Sequence, residues 1–372
     1  MNVFRIIPLL LAAGCGLLHL YEAPFPPASA ASATVLGKTS VLPAARADTN
    51  SPLASFSLLS DIHVQADDSL SQQLFVKALQ DHYSIKPDAD RIVLNGDLTN
   101  GWRDDYETLR RLLDNTPHAP VRATMGNHDY YGMWRHGHGY DYTRLSRNWS
   151  SSRAIAQFTS FFGYAKPYYA ENVGGVPFLF MSGEAYRDAD ESVAEDAFLS
   201  DTQLNWLESR LEDHRARLTA DVMVRGSANK QNGEIVPVPL VVPALIFLHQ
   251  PLPHTLDGTS DERGVVQHER LRSILERYPF AVLLSGHTHW DAESTNQLWR
   301  GKFIAVGSGS VRFAYDSQNR PIRPLKSESL FIEVYPGRLV IRTIDHHHGQ
   351  WAGEPAVVEL PNAVEPEQPS RK

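Results

Sequence analysis

The chain has 372 residues, 42% apolar content and a formal net charge of −8. These values describe a globular protein with a sizeable core and exclude a disordered chain. Acids and bases are mixed along the sequence, so no nucleic-acid track is expected, and the single cysteine, Cys15, excludes a disulfide framework and thiolate zinc sites in the remainder.

Residues 1–47 read as a leader and linker. Arg5 supplies a minimal positive start, and Ile6 to Leu18 carries no charge. That run is short for a membrane span and suits a signal-peptide core. Two processing readings stay open. Leu11-Ala12-Ala13-Gly14-Cys15 is similar to a bacterial lipoprotein box, which would make Cys15 a lipid anchor. Ala28-Ser29-Ala30 and Ala45-Arg46-Ala47 are alternative cleavage sites for simple secretion. Either way the protein is expected to be exported: periplasmic, secreted or membrane-anchored. The Ala-, Pro- and Ser-rich stretch from Glu22 to Asn50 has no helical or strand period and reads as linker.

From residue 48 to 360 the pattern predicts one domain. Phe56 to Ser60 is an apolar strand ending at Asp61, and Leu70, Leu74 and Ala78 follow at helical spacing. Arg91 to Asn95 is a strand running into Gly96-Asp97. Tyr106, Leu109, Leu112 and Leu113 mark a second helix, and Val121 to Met125 a third strand that ends at Gly126-Asn127. This βαβαβ pattern places polar residues at successive strand ends, where the loops of an open α/β sheet converge. Tyr130 to Tyr164 reads as an insertion. Val176 to Met181 is a strand, and Ser200 to Gln203 a capping box opening a helix. Ala220 to Pro239 is a polar excursion expected to form a surface hairpin or loop. Val241 to Leu248 is a buried strand ending at His249, and Ala281 to Ser285 one ending at Gly286-His287. Leu330 to Val334 and Arg338 to Ile344 form a hairpin around Pro336-Gly337. His346-His347-His348 is read as a solvated turn, and residues 361–372 as a disordered tail.

Five short segments then collect the chemistry: Asp61-Ile62-His63, Gly96-Asp97, Gly126-Asn127-His128-Asp129, His249 and Gly286-His287-Thr288-His289. Each follows an apolar strand and offers carboxylate, amide oxygen or imidazole. Asp61 and His63 can share one cleft if the backbone between them leaves the extended state. A carboxylate after glycine, as at Asp97, can turn over the sheet edge, and its two oxygens allow it to bridge two ions. The donor set suits two divalent or transition metals (Mn, Fe or Zn), which availability rather than affinity selects. Paired cations are a device for displacement at phosphorus.

The ordered set Asp-x-His, Gly-Asp, Gly-Asn-His-Asp, His and Gly-His-x-His resembles the calcineurin-like metallophosphoesterase superfamily over about Phe56 to Ile344. The resemblance implies an α/β fold of mixed sheets, a four-layer α-β-β-α sandwich with a binuclear centre at the strand ends. It implies one metal on Asp61, His63, Asp97 and His289, and another sharing Asp97 and taking Asn127, His249 and His287. It sets His128 apart as an acid facing the leaving group, with Asp129 to orient it. Imidazole is the right side-chain type for that task. The implied reaction is hydrolysis of a small-molecule phosphoester by a metal-bridging hydroxide.

The subfamily is less sharply marked. The Arg-Gly pair of the Ser/Thr protein phosphatases is missing from Gly96 to Gly101, and Asn100 stands where purple acid phosphatases use a metal-binding tyrosine. The metal motifs resemble those of class III cyclic-nucleotide phosphodiesterases and related bacterial phosphodiesterases. A phosphodiesterase is therefore the first expectation. A phosphomonoesterase (nucleotidase or sugar phosphatase) is the alternative, and a non-catalytic metal-binding protein of the same fold the third. Tyr130, Tyr131, Trp134 and Arg103 are the candidate substrate contacts. The aromatic residues among them suit a base or head group as well as the core of a lid.

Overall fold

The computed structural model describes residues 51–137, 139–232, 241–259, 263–294 and 296–361, with backbone alone for 221–232. The leader, Cys15 and the tail beyond residue 361 lie outside the described residues.

The chain begins with β1 (Ala54–Leu59), α1 (Ser69–Ile85), β2 (Arg91–Asn95), α2 (Arg103–Asn115) and β3 (Val121–Thr124). A 3-10 helix (His128–Trp134), the short strands β4 (Arg135–His136) and β5 (Gly139–Tyr140), and α3 (Ser151–Phe162) fill the predicted insertion. Next come β6 (Tyr169–Val173), β7 (Val176–Phe180), α4 (Asp201–Asn232), β8 (Ala244–Phe247), α5 (His268–Leu275) and β9 (Ala281–Ser285). The last strands are β10 (Leu298–Arg300), β11 (Ile304–Gly307), β12 (Glu328–Tyr335), β13 (Arg338–Asp345) and β14 (Gln350–Glu359).

Two six-stranded mixed sheets result, ordered β14-β13-β12-β1-β2-β3 and β10-β11-β9-β8-β7-β6. Alternation along β1 and β2 explains the layering. Phe56, Leu58 and Val93 belong to the core that includes the second sheet, whereas Leu59, Ile92 and Leu94 join Leu74, Phe75, Ala78 and Leu109 of the outer helices. Successive side chains of a strand point to opposite faces, so a central strand is buried on both, and β1 carries the small Ser55 and Ser57 beside Leu59 on its outer face. Phe56 bridges the sheets directly, with ring centroids 5.0 Å from Phe178 and 5.7 Å from Phe247. Helices α4 and α5 cover the other face of the second sheet through Leu204, Leu207, Leu211, Leu271 and Ile274. The fold is the expected four-layer α-β-β-α sandwich.

Four expectations need correction. The stretch from 220 to 232 is not a hairpin or loop: α4 continues to Asn232 through Gly226 and two asparagines, weak helix formers that lower its local propensity, and 233–239 lie outside the described residues. The capping box is half formed. Gln203 N donates to Ser200 Oγ at 3.2 Å, but the Gln203 side chain turns to Ser182 O and Glu184 instead. Strand β14 was not anticipated, since an edge strand with a mostly exposed face has no apolar run. The turn at His346 is present, but His346 is fully buried. Its Nδ1 lies 2.9 Å from Asp81 Oδ2 and its Nε2 2.7 Å from Ser329 Oγ, pinning the β13–β14 turn to α1.

Candidate metal centre

Strands β1, β2 and β3 of one sheet and β8 and β9 of the other end at one place. The loops are cross-tied there. Asp61 N donates to Gly96 O (3.2 Å), His63 N to Asp97 O (3.0 Å) and Gly286 N to His249 O (2.9 Å). Asn95, fully buried, clamps the sheets: its Nδ2 donates to Leu284 O at 2.9 Å and its Oδ1 accepts from Thr124 Oγ1 at 2.9 Å.

The backbone answers how an Asp-x-His pair shares one cleft. Asp61, His63, Asp97, His287 and His289 all have positive φ, between 43° and 71°. L-residues are rare in that region, each costing of order 1–3 kcal/mol unless the surroundings hold it. Strain concentrated on these five donors marks a site built for convergence rather than for stability. The glycine before Asn127 has a steric reason: a Cβ at Gly126 would collide with the Asp97 carboxylate and the His249 ring.

The side chains converge in two groups that share Asp97. Asp61, His63, Asp97 and His289 form one, and Asp97, His249 and His287 the other. Asp97 Oδ1 accepts from His128 N at 2.9 Å, leaving Oδ2 to face His249 Nε2 (3.2 Å), His63 Nε2 (3.9 Å) and His128 Nε2 (4.0 Å). His289 Nε2 stands 3.0 Å from Asp61 Oδ1. Asp61, His63, Asp97 and His249 are essentially without solvent contact, and Asn127 and His289 are buried.

The donors fit metal ions. Asp61 Oδ1, Asn127 Oδ1 and His249 Nε2 are buried without a well-aligned hydrogen bond, although Asp61 Oδ1 lies 3.0 Å from His289 Nε2 and His249 Nε2 3.2 Å from Asp97 Oδ2. Buried polar atoms rarely stay unsatisfied, and three directed into one cluster fit a bound cation. The opposite ring nitrogens are already engaged: His249 Nδ1 donates to Asn95 O (2.8 Å) and His289 Nδ1 to Phe313 O (2.8 Å), which presents Nε2 inward. Burial works against charge on His249, but Asp97 and Asp61 hold its ring up at about 9. Burial also opposes ionisation of Asp61, yet His289 and His249 hold it below the usual carboxylate range. A cation bound here would displace the imidazole proton, so binding should release protons.

His128 borders the centre without joining either group. Its ring stacks on Tyr131 at 3.9 Å and meets His63 edge-on at 4.5 Å. The residue that orients it is not Asp129. Asp129 is buried and accepts from the backbone N–H of Gly126 (3.0 Å), Thr99 (3.2 Å) and Leu98 (3.3 Å), and from the Tyr106 hydroxyl (3.3 Å). Burial first, then the Asp97 charge, pushes its carboxyl up to about 7. Asp129 thus braces the Gly126–His128 loop against the Asp97 loop. The partner of His128 Nδ1 is Asn100 Oδ1, 3.0 Å away. An amide oxygen only accepts, so Nδ1 carries hydrogen and Nε2 faces Asp97. Asn100→Leu is expected to lower kcat roughly 10-fold or more while leaving KM nearly unchanged, because the ring loses its fixed tautomer. Steady-state kinetics with an alkyl-leaving substrate would show this, and an unchanged kcat would remove Asn100 from the machinery.

The candidate substrate contacts separate. Tyr131 lies against His128. Tyr130 is buried, donates to Gly183 O at 2.7 Å and stacks on Tyr186, and Trp134 packs nearby with Nε1 3.3 Å from Tyr186 Oη. Both are core residues of the insertion. Arg103 opens α2 with an exposed guanidinium paired to Glu107 at 2.7 Å. Sequence reasoning missed Asn95, Asn100 and Glu195; only Asn100, three residues past Asp97, carried a positional signal.

Residues 55–291 match the family profile described as Calcineurin-like phosphoesterase. A dimetal phosphatase from Danio rerio superposes with a TM-score of 0.52 at 16% identity, covering 83% of this chain and 100% of that one. A purple acid phosphatase from yellow lupin (Lupinus luteus) seeds gives 0.50 at 14% identity, covering 82% of this chain and 53% of that one, so this chain spans about half its length. A search of curated protein sequences found no match. The chain belongs to the calcineurin-like phosphoesterase family and is a metal-dependent hydrolase of phosphoric esters.

Proposed function

We propose that the protein hydrolyses a phosphodiester of a small molecule at this centre, outside the cytoplasm, with His128 protonating the leaving group. The observation that carries the reaction type is the convergence on Asp97 Oδ2 of donors from both groups, with His128 Nε2 4.0 Å from the same oxygen. Asp61, His63, Asp97 and His289 would hold one cation, and Asp97, Asn127, His249 and His287 the other. Two cations there supply charge neutralisation at the phosphate and a water of lowered pKa.

The chain's own residues do the rest. The acid form of His128 carries hydrogen on both nitrogens: Nδ1–H donates to Asn100 and Nε2–H is delivered to the departing oxygen. As the new P–O bond from water forms and the old one breaks, that proton converts the alkoxide to an alcohol, and the proton given up by the water returns through solvent to restore the acid form of His128. The products are an alcohol and a phosphomonoester. The diester is preferred because the metal motifs resemble those of phosphodiesterases. The uncharged run Ile6 to Leu18 supports export.

The purified protein, supplied with Mn2+, should cleave bis(p-nitrophenyl) phosphate with a higher kcat/KM than p-nitrophenyl phosphate. The reverse order would make it a phosphomonoesterase, and no turnover of either with any divalent metal would favour a non-catalytic protein.

A further inference from the structure

Glu195 lies outside every motif, just after the 3-10 turn Glu191–Val193. Its carboxylate accepts from Asn127 Nδ2 (3.1 Å), the Tyr131 hydroxyl (3.1 Å), the Tyr186 hydroxyl (2.8 and 2.9 Å) and Arg187 Nη2 (2.9 Å) and Nε (3.2 Å). Its backbone carbonyl accepts from Gln250 Nε2 at 3.2 Å, beside His249. These contacts bear on one half of the centre, since Asn127 and His249 belong to the same proposed metal.

An amide has unlike ends, and only its oxygen ligates a hard cation. Engaging Nδ2 turns Oδ1 into the cluster, where it is buried without a hydrogen bond. The same carboxylate holds the hydroxyl of the tyrosine whose ring stacks on His128. Arg187 offsets the carboxylate charge, so Glu195 acts as an acceptor for donors around the site rather than as a competing ligand.

We infer that Glu195 is a positioning residue for the metal held by Asn127, His249 and His287: it fixes the flip of the Asn127 amide and keeps Tyr131 against His128. This rests on the two-metal reading of the site. Partners that orient a metal ligand typically contribute about 10- to 100-fold in affinity.

The test is titration of the full chain with Mn2+ by calorimetry, with metal content after gel filtration and thermal unfolding as a check on folding. Wild-type protein should bind two equivalents. Glu195→Ala should retain one equivalent at wild-type affinity and weaken the other about 10- to 100-fold. Asn127→Asp supplies the second background, because both ends of a carboxylate are oxygen and there is no flip to fix. There, adding Glu195→Ala removes a neighbouring like charge and should leave Mn2+ binding unchanged or tighter. Equal weakening in both backgrounds would reduce Glu195 to a structural brace and overturn the proposal, as would unchanged binding in Glu195→Ala alone. A wild-type protein that binds no Mn2+ would instead bring down the two-metal reading, and this proposal with it.

Discussion

Asp97→Asn is expected to leave the protein folded, with less than one metal per chain and with activity toward bis(p-nitrophenyl) phosphate down by about 10³-fold or more. Asp97 is the one residue common to both donor groups. Its Oδ1 is spent on the His128 backbone N–H, so one oxygen, Oδ2, serves both. An amide can keep the Oδ1 contact, which is why the loop should survive. It cannot supply the negative charge that would hold two cations together, nor lower the repulsion between them. Lewis-acid stabilisation of the transition state is worth several kcal/mol, and losing it sets the size of the effect. Elemental analysis after exhaustive dialysis against metal-free buffer, alongside initial rates, makes the measurement. A variant that keeps two metals and stays within about 10-fold of wild type would remove Asp97 from the bridging role.

The second large effect is selective. His128→Ala should lower kcat by about 10²- to 10⁴-fold for a diester with an alkyl leaving group, the range that a positioned acid contributes. With p-nitrophenol as leaving group the loss should be much smaller, since that phenolate departs as a stable anion. The contrast matters because His128 also packs against His63 and Tyr131. A merely structural role would lower both rates together. Equal losses across leaving groups, or a variant as fast as wild type on the alkyl ester, would defeat the acid assignment.

Much of the site was readable along the chain because its donors come in short local pieces. Asp61 and His63, or Asn127 and His128, are neighbours whose apolar upstream runs identify strand ends. The left-handed backbone at Asp61, His63 and Asp97 is not readable, since Asp and His tolerate it better than most side chains but do not dictate it, and the surrounding loops hold it. Asp129 shows the opposite failure. Adjacency suggested that it orients His128, but successive residues leave the turn in different directions, and its carboxylate went to backbone donors of the Asp97 loop. The residue that meets His128 Nδ1 is Asn100, 28 residues away in sequence.

Aromatic residues in the insertion divided for a related reason. Tyr130, Tyr131 and Trp134 are indistinguishable by composition, yet the 3-10 helix sends Tyr130 and Trp134 toward Tyr186 and only Tyr131 onto His128. The place of His346 after the last predicted strand, far from the motifs, points to a solvated turn, but buried contacts to Asp81 and Ser329 from other elements override that local signal.

The sequence by itself determined the layered α/β class, the ordered ligand types and the kind of chemistry, because hydrophobic periodicity and donor identity are local properties. Tertiary structure alone decided which oxygen of Asp97 faces both donor groups, which nitrogen of His249 and of His289 is presented, what holds the Asn127 amide and which tyrosine reaches the site. Those outcomes depend on hydrogen bonds between loops at the ends of different strands, and such contacts exist only once the two sheets have packed.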